Sequence, residues 1–442
     1  MAFIGVRAHT SDQASSAGRG RGAVRVVALL RSQAAGAAIA QIWQALTTFG
    51  LQAIAAAALG ASGLGTFSLC LGVIVLATAV VSGMVGDSLV ILDRHDPEVR
   101  GGLFGWTLLL SVLGAAVAAL VMAATQALRP AEAALFGAAL AAFVLESLLR
   151  RLFMAVLRFW RLVLIDGVGL VVSMTLLLAV ARLSQVSLAA FFASLLLGQV
   201  VAVAVGLALL DVRERQVAAP TRRGFVVVAR LGLWRGAQVS IPPLVLTLVR
   251  LVVIAAIGTV ALGSLEAARI FAAPALLVVQ GFGSYLLSVY VRDRGVGLEA
   301  LTRRASRTSV WMTGAAVLLA GALALMSGPL GALALHSSLS INPWTVFGWG
   351  LYVAGTATCQ PFASLAAVHG HQVKVFLCRC GDAAAALIGL SLLAVVEPGH
   401  LAVWTPYILA AGLVLGGGLV RRLILRPAVQ RRRSLPTPAR AA

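Results

Sequence analysis

The chain has 442 residues, is 60% hydrophobic and only 11% charged, and carries a formal net charge of +20. That balance leaves no stretch long enough for a sizeable soluble domain. The arginines are spread over short segments between apolar runs, where they set topology and meet anionic headgroups, so the basic excess does not indicate a nucleic-acid partner. The first 33 residues are rich in Gly, Ser and Arg and lack an apolar core, which predicts a flexible cytoplasmic tail rather than a cleavable signal peptide.

Twelve apolar runs follow, at about 34–58, 63–85, 102–124, 132–154, 162–182, 187–210, 236–258, 264–290, 310–332, 344–367, 376–396 and 402–420. Each suits a helix crossing a bilayer core, which takes about 20 residues. The cationic gaps fall on every second connection. Of 35 basic residues, all but Arg129, Arg182, Arg250 and Arg269 belong to one side, so both termini are expected in the cytoplasm. The expected fold is an all-α polytopic membrane protein with about twelve transmembrane helices in two six-helix pseudo-symmetric lobes. Its parts are a tail (1–33), an N-terminal lobe (34–210), a cytoplasmic linker (211–235), a C-terminal lobe (236–420) and a basic cytoplasmic tail (421–442). Cys70, Cys359, Cys378 and Cys380 lie in spans or at the inner surface and are not expected to form disulfides. His369, His371, Cys378 and Cys380 are zinc-type ligands at a spacing unlike a finger or ribbon, so neither a metal nor a cofactor is assigned.

The halves share a detail. A shift of 198 residues lays Gly60, Leu64 and Gly65 on Gly258, Leu262 and Gly263, at the outward turn between the first two spans of each half. Small residues there allow sharp turns and close helix approach, and parallel six-span repeats are a transporter plan with the path between the halves. In span 1, Gln41, Gln44, Thr48 and Gln52 recur every three or four residues and form one stripe. Such a stripe faces protein or water, either as interhelical glue or as a cavity lining; the lining is preferred.

In span 7, Ser240, Thr247 and Arg250 share a face with Pro243, and the repeat shift lays Arg250 on Gln52. Arg250 stands about eight residues, or roughly 12 Å, below the outer helix end. Two readings are open, a cavity-facing cation suited to phosphate and a snorkelled or structurally paired one. Pro242 and Pro243 should kink span 7, as a hinge or a static bend. Arg269, one turn into span 8, has Glu266 three residues before it and is expected to form a local ion pair, with an anion contact as the alternative. Trp344, Trp349, Trp404 and Tyr407 fall near outer span ends, where an aromatic belt is expected.

The two six-span halves, the LGxxxLG-like outer turns and the polar first span of each half resemble bacterial polysaccharide flippases. These belong to the multidrug/oligosaccharidyl-lipid/polysaccharide exporter superfamily. The stretch Glu146-Ser-Leu-Leu-Arg150-Arg151-Leu-Phe-Met-Ala-Val, with Asp166 opening span 5, is similar to their connection between spans 4 and 5. The resemblance covers about 34–425. It implies a non-enzymatic transporter in the bacterial plasma (inner) membrane that flips polyprenyl-diphosphate-linked oligosaccharide to the outer leaflet for cell-surface polysaccharide export. The partners it implies are the lipid-linked glycan, membrane lipids and export components such as a polysaccharide polymerase and glycosyltransferases, with Arg250 on the diphosphate. The expected substrate path is Gln41, Gln44, Thr48, Gln52, Thr247 and Arg250, with Arg269 as a secondary anion contact and Pro242 and Pro243 as hinge.

Three rivals stand beside this reading. A cation-coupled small-molecule or drug exporter of the same superfamily wants buried carboxylates, whereas Asp87, Glu146, Asp166 and Asp382 are expected near inner span ends. A major facilitator transporter would use Asp93-Arg94…Arg100, but Leu89 stands where a glycine belongs. A membrane glycosyltransferase or polymerase needs acids or basic groups in a structured outer loop, and the longest outer gap, 333–343, offers only His336. There is no GxxxxGK[ST] phosphate loop.

Overall fold

The computed structural model describes residues 33–434 apart from 94, 157, 184–185, 216–217, 294 and 335–340. The expected N-terminal tail (except Gln33), Arg94, His336 and the last eight residues of the basic tail lie outside the described residues, as does the side chain of Gln41. Among the described residues the chain is helical and contains no strand. The helices are α1 (Gln33–Val81), α2 (Pro97–Ala124), α3 (Pro130–Ala155), α4 (Phe159–Leu183), α5 (Leu188–Leu209), α6 (Arg222–Arg292), α7 (Leu298–Ala334), α8 (Pro343–Val368), α9 (Gln372–Val396) and α10 (Leu401–Leu419). Local chemistry marks their starts. Pro97, Pro130 and Pro343 open helices where no backbone donor is needed, and the side chains of Asp96, Ser187, Thr221 and Asn342 cap free amides.

Nine helical stretches among the described residues are long and apolar enough to cross a membrane. Two of them each hold two arms. α1 turns at Gly60 (φ 66°) and α6 at Gly258 (φ 86°), both in the left-handed region that glycine enters without strain. The arms of α6 fold back on each other, as the ion pair between Arg250 and Glu266 shows. With the arms counted singly and α8, a 26-residue helix, added, there are twelve such segments among the described residues. They form two lobes of six, α1–α5 and α6–α10, and the repeat-matched glycines hold matching turns.

At the turn end the lobes meet along a seam. A Cβ on Gly65 would strike the carbonyl of Thr259, and one on Gly263 the carbonyl of Ala61. The 198-residue shift exchanges these two contacts, so the seam is nearly self-complementary, as across a two-fold axis. Leu64 and Leu262 are fully buried beside it, and the hydroxyls of Ser62 and Thr259 share a hydrogen bond of 2.9 Å.

At the opposite, basic end, α6 begins at Arg222, fourteen residues before its apolar run, so the second half of the 211–235 segment is helix. These turns lie along α2, where Trp106 Nε1 donates to the carbonyl of Phe225 at 2.9 Å. Arg235 reaches Asp87, just past α1, at 2.8 Å and ties the lobes together at this end. Asp211, exposed after α5, accepts from Arg161 at 3.0 Å, and that bond holds its carboxyl below the usual range. The chain beyond α10 also continues as helix, through a π-helical turn (Val420–Leu425) into Arg426–Ser434.

The aromatic belt needs one correction. Trp344 and Trp404 are exposed, but Trp349 is 2% exposed and its Nε1 donates to the carbonyl of Leu265 at 3.0 Å, pinning α8 to α6. Its position in the sequence resembled an interface anchor because it follows Trp344 by only five residues, which turns it to the other side of the helix. Trp349→Phe should lower stability by about 1–3 kcal/mol through the lost bond and unfilled volume. Thermal unfolding of the purified protein reads the shift.

Candidate functional site

The two arms of α1 supply one wall of a cavity of about 470 Å³, α3, α4 and α5 supply another, and α6 closes it. Gln44, Thr48 and Gln52 line it, so the polar stripe of the first span faces this space. Its main-chain spacing explains the arrangement: three or four residues make one helical turn, so these side chains share one face of α1. Thr47, Thr78 and Ser82 extend the polar surface. Thr247 is not on the wall. Its hydroxyl lies 2.8 Å from the carbonyl of Pro243 and 3.3 Å from that of Gly72, at the contact between α6 and α1.

The densest chemistry is on the N-terminal lobe. Arg150 of α3 forms an ion pair with Asp166 of α4 and lies 3.9 Å from Glu146, one turn back on its own helix. It also donates to Gln44 Oε1 at 3.3 Å. The side chains of Glu146, Arg150 and Asp166 are 11%, 8% and 5% exposed. This corrects the expectation that these carboxylates sit at span ends. Glu146 is nine residues, about 13 Å along the axis, inside the end of α3. Both carboxylates are cavity-lining groups within the bundle.

On the opposite side, Arg250 is buried and its Nε donates to Glu266 Oε1 at 2.8 Å. Arg269 donates through Nε to the other carboxylate oxygen at 2.6 Å. The expected local pair between Glu266 and Arg269 is therefore present, and Arg250 joins it. Of the two open readings of Arg250, the paired one describes the structure, while its guanidinium still lines the cavity and lies against Gly72 of α1. A lone buried guanidinium would be costly, and Glu266 offsets that cost. Arg151 of α3 also lines the cavity, 3.9 Å from Asp87, so the α3/α4 wall carries two guanidiniums with two carboxylates, while on α6 two guanidiniums share Glu266.

Pro242 and Pro243 lie within α6 with helical backbone torsions on both, the break in this helix falling at Gly258 instead. Pro243 faces the first cavity, and Pro242 faces a second of about 440 Å³ lined by Arg235, Gln238, Gln372 and Arg379. The first arm of α6 is the partition between them. On the C-terminal side Arg379 pairs with buried Asp382 at 2.8 Å. No group of three or more His, Cys, Asp or Glu among the described residues is placed to hold a metal ion.

The Glu146–Arg150–Asp166 cluster was the main element not anticipated. Arg150 reads in sequence as one of a run of loop arginines, and nothing in the spacing from 146 to 166 says that two helices face each other. A signal existed for the other cluster: Arg250 and Glu266 each stand eight residues from Gly258, so a hairpin turning there sets them at equal depth.

No family model matches the sequence, and no curated protein matches it. Solved structures do. An inward-facing structure of a multidrug resistance MATE family transporter of the MOP superfamily gives a TM-score of 0.68 at 13% identity, over 90% of this chain and 96% of that one. An outward-facing structure of a multidrug resistance MATE family transporter of the MOP superfamily gives 0.57 at 14% identity, over 90% and 95%. A MOP superfamily transporter from Pyrococcus furiosus, described as having reversed polarity in its binding pocket, gives 0.60 at 15% identity, over 90% and 95%. The twelve crossings, the two matched lobes and these likenesses together give the chain the fold of the MATE transporters of the MOP superfamily.

Proposed function

We propose that the protein is a cation-coupled exporter of an amphipathic solute, working by alternating access between its two lobes without covalent chemistry. The observation that carries this reading is the buried Glu146–Arg150–Asp166 cluster in the cavity wall. Two carboxylates on one guanidinium leave one negative charge in a largely dehydrated place, where an unmatched charge is costly. A proton or small cation offsets it, and so does a positively charged group of the solute. Competition between the two for one site is the simplest form of exchange.

In this reading the membrane is a bacterial plasma membrane and the basic end and both termini face the cytoplasm, an orientation that the distribution of the arginines supports. With the turn end closed, the cavity is then presented to the cytoplasm for loading. Its volume of about 470 Å³ falls in the range of small-molecule sites. The finer reading as a flippase of lipid-linked oligosaccharide, with its polymerase and glycosyltransferase partners, has less support. It assigned Arg250 to the diphosphate, and Glu266 already holds that guanidinium.

The test uses purified protein in liposomes with a panel of fluorescent amphiphiles, under an imposed proton or sodium gradient. Transport should rise about tenfold with one gradient, equivalent to about 1.4 kcal/mol of driving force. Glu146→Gln should transport at the gradient-independent rate. Flipping of a polyprenyl-diphosphate oligosaccharide with no gradient effect on any amphiphile would overturn the proposal in favour of the flippase.

A further inference from the structure

We propose that the second cavity, between the first arm of α6 and the start of α9, binds the head group of an anionic phospholipid from the leaflet at the basic end. The site is separate from the first cavity, and the proposal does not depend on the export reading.

The second cavity holds about 440 Å³. Its wall is Arg235, Gln238 and Pro242 on α6 and Gln372, Phe376 and Arg379 on α9, each set spaced by three or four residues and so on one face of its helix. Two guanidiniums line this space, and among the described residues no carboxylate does. The acids that pair with them lie off the wall: Arg235 donates through Nε to Asp87 at 3.0 Å, and Arg379 donates to Asp382 at 2.8 Å. Asp87 is also 3.9 Å from Arg151, so these three groups keep a positive charge in excess. Guanidinium is the side chain best matched to phosphate oxygens. The amides of Gln238 and Gln372 can donate to the same oxygens and accept from the hydroxyls of a head group.

The place of the cavity selects a lipid over a soluble anion. Arg235 stands just before the apolar run 236–258, and Gln372 just before the run 376–396, so the mouth is level with lipid head groups. Pro242 and Arg379 stand seven residues further along their helices, about 10 Å deeper. The ring of Trp234 packs on that of Phe376 with centroids 4.8 Å apart, an aromatic pair of the kind that settles at a membrane interface. The same turns of α6 and α9 expose Leu233, Val373 and Leu377, a surface for acyl chains. A zwitterionic lipid would bring a cation to a wall with no acid to meet it, whereas an anionic lipid brings none.

The basic end as a whole also attracts anionic lipids diffusely, and the experiment separates the two effects. Native mass spectrometry of the full-length protein in detergent follows the binding of dioleoylphosphatidylglycerol, dioleoylphosphatidylcholine and glycerol phosphate. The glycerol lipid should bind about tenfold more tightly than the choline lipid. Arg235→Gln and Gln372→Glu should each remove most of that preference. Arg230→Gln and Lys374→Gln remove exposed cations of the same two helices that are off the wall, and should leave it unchanged.

Equal binding of the two lipids would overturn the proposal. So would an equal loss in the off-wall variants, which would mean diffuse attraction. Glycerol phosphate bound as tightly as the glycerol lipid would replace the lipid with a soluble anion and overturn it as well. Arg235 also bridges the lobes, so if Arg235→Gln fails to fold, Gln372→Glu decides. Gln372 is exposed and opens α9, where a carboxylate favours the helix.

Discussion

Arg150→Leu is expected to lower the stability of the protein by about 3–5 kcal/mol, the cost of leaving buried charges without their partner. Arg150 is the single cation serving Glu146 and Asp166, and its side chain is 8% exposed. Removing it leaves two carboxylates facing each other across α3 and α4, with Gln44 also losing its bond to the guanidinium. Adding Glu146→Gln and Asp166→Asn to the same chain should recover most of the loss, because a neutral trio of similar volume has no desolvation cost of this kind to meet. Transport should stay at the gradient-independent rate in both variants. Thermal unfolding in detergent and liposome transport separate the two effects. An unfolding temperature unchanged in Arg150→Leu would mean that water reaches the cluster and screens it, removing the physical basis for coupling there.

The second large effect is expected at the seam. Gly263→Val sets a branched side chain against the carbonyl of Ala61, where even a Cβ has no room. Overpacking of this kind costs about 1–3 kcal/mol. Here the strain is relieved by separating the lobes, because the contact is lost as the turn end opens. A bias of that size is comparable with the gap between two working conformations of a few kcal/mol, so the open form should become a major population. Spin labels at Ala57 and Val260, in a chain with its four cysteines replaced, would report a longer distance in Gly263→Val than in the unaltered seam. Gly65→Val should act the same way through Thr259. A distance unchanged in both, with the protein folded, would show that the seam yields locally and does not control the lobes.

Most of the architecture was legible because bilayer thickness and positive-charge placement are long-range constraints written into composition. The repeat was legible from a few residues, since Gly60 and Gly258 do the same job at the same place and admit few substitutes. The stripe of Gln44, Thr48 and Gln52 was legible because one helix carries it. The carboxylate cluster was not, because it is assembled from α1, α3 and α4, and contact between helices leaves no period in a sequence. Arg150 also stands next to Arg151, which is more exposed and reaches toward Asp87, so the two read as one juxtamembrane pair although their carboxylate partners differ. Arg250 was half legible. Its burial cost announced a partner or a cavity, and the structure supplies both.

The seam at the turn end has a further meaning for direction. Ala61, Ser62, Leu64, Gly65, Thr259, Leu262 and Gly263 carry no ionisable side chain, so the contact is held by close backbone packing, buried leucine and one hydroxyl bond. Such a closure is indifferent to the salt and acidity of the medium it meets. The lock at the basic end is of another kind, an Asp87–Arg235 ion pair between lobes, with the charged cavity beyond it. In the proposed exporter, with the turn end facing outward, this makes a valve with one deaf face and one listening face: the medium at the closed side would not unlock it, and the turn outward would be decided by what the cavity holds.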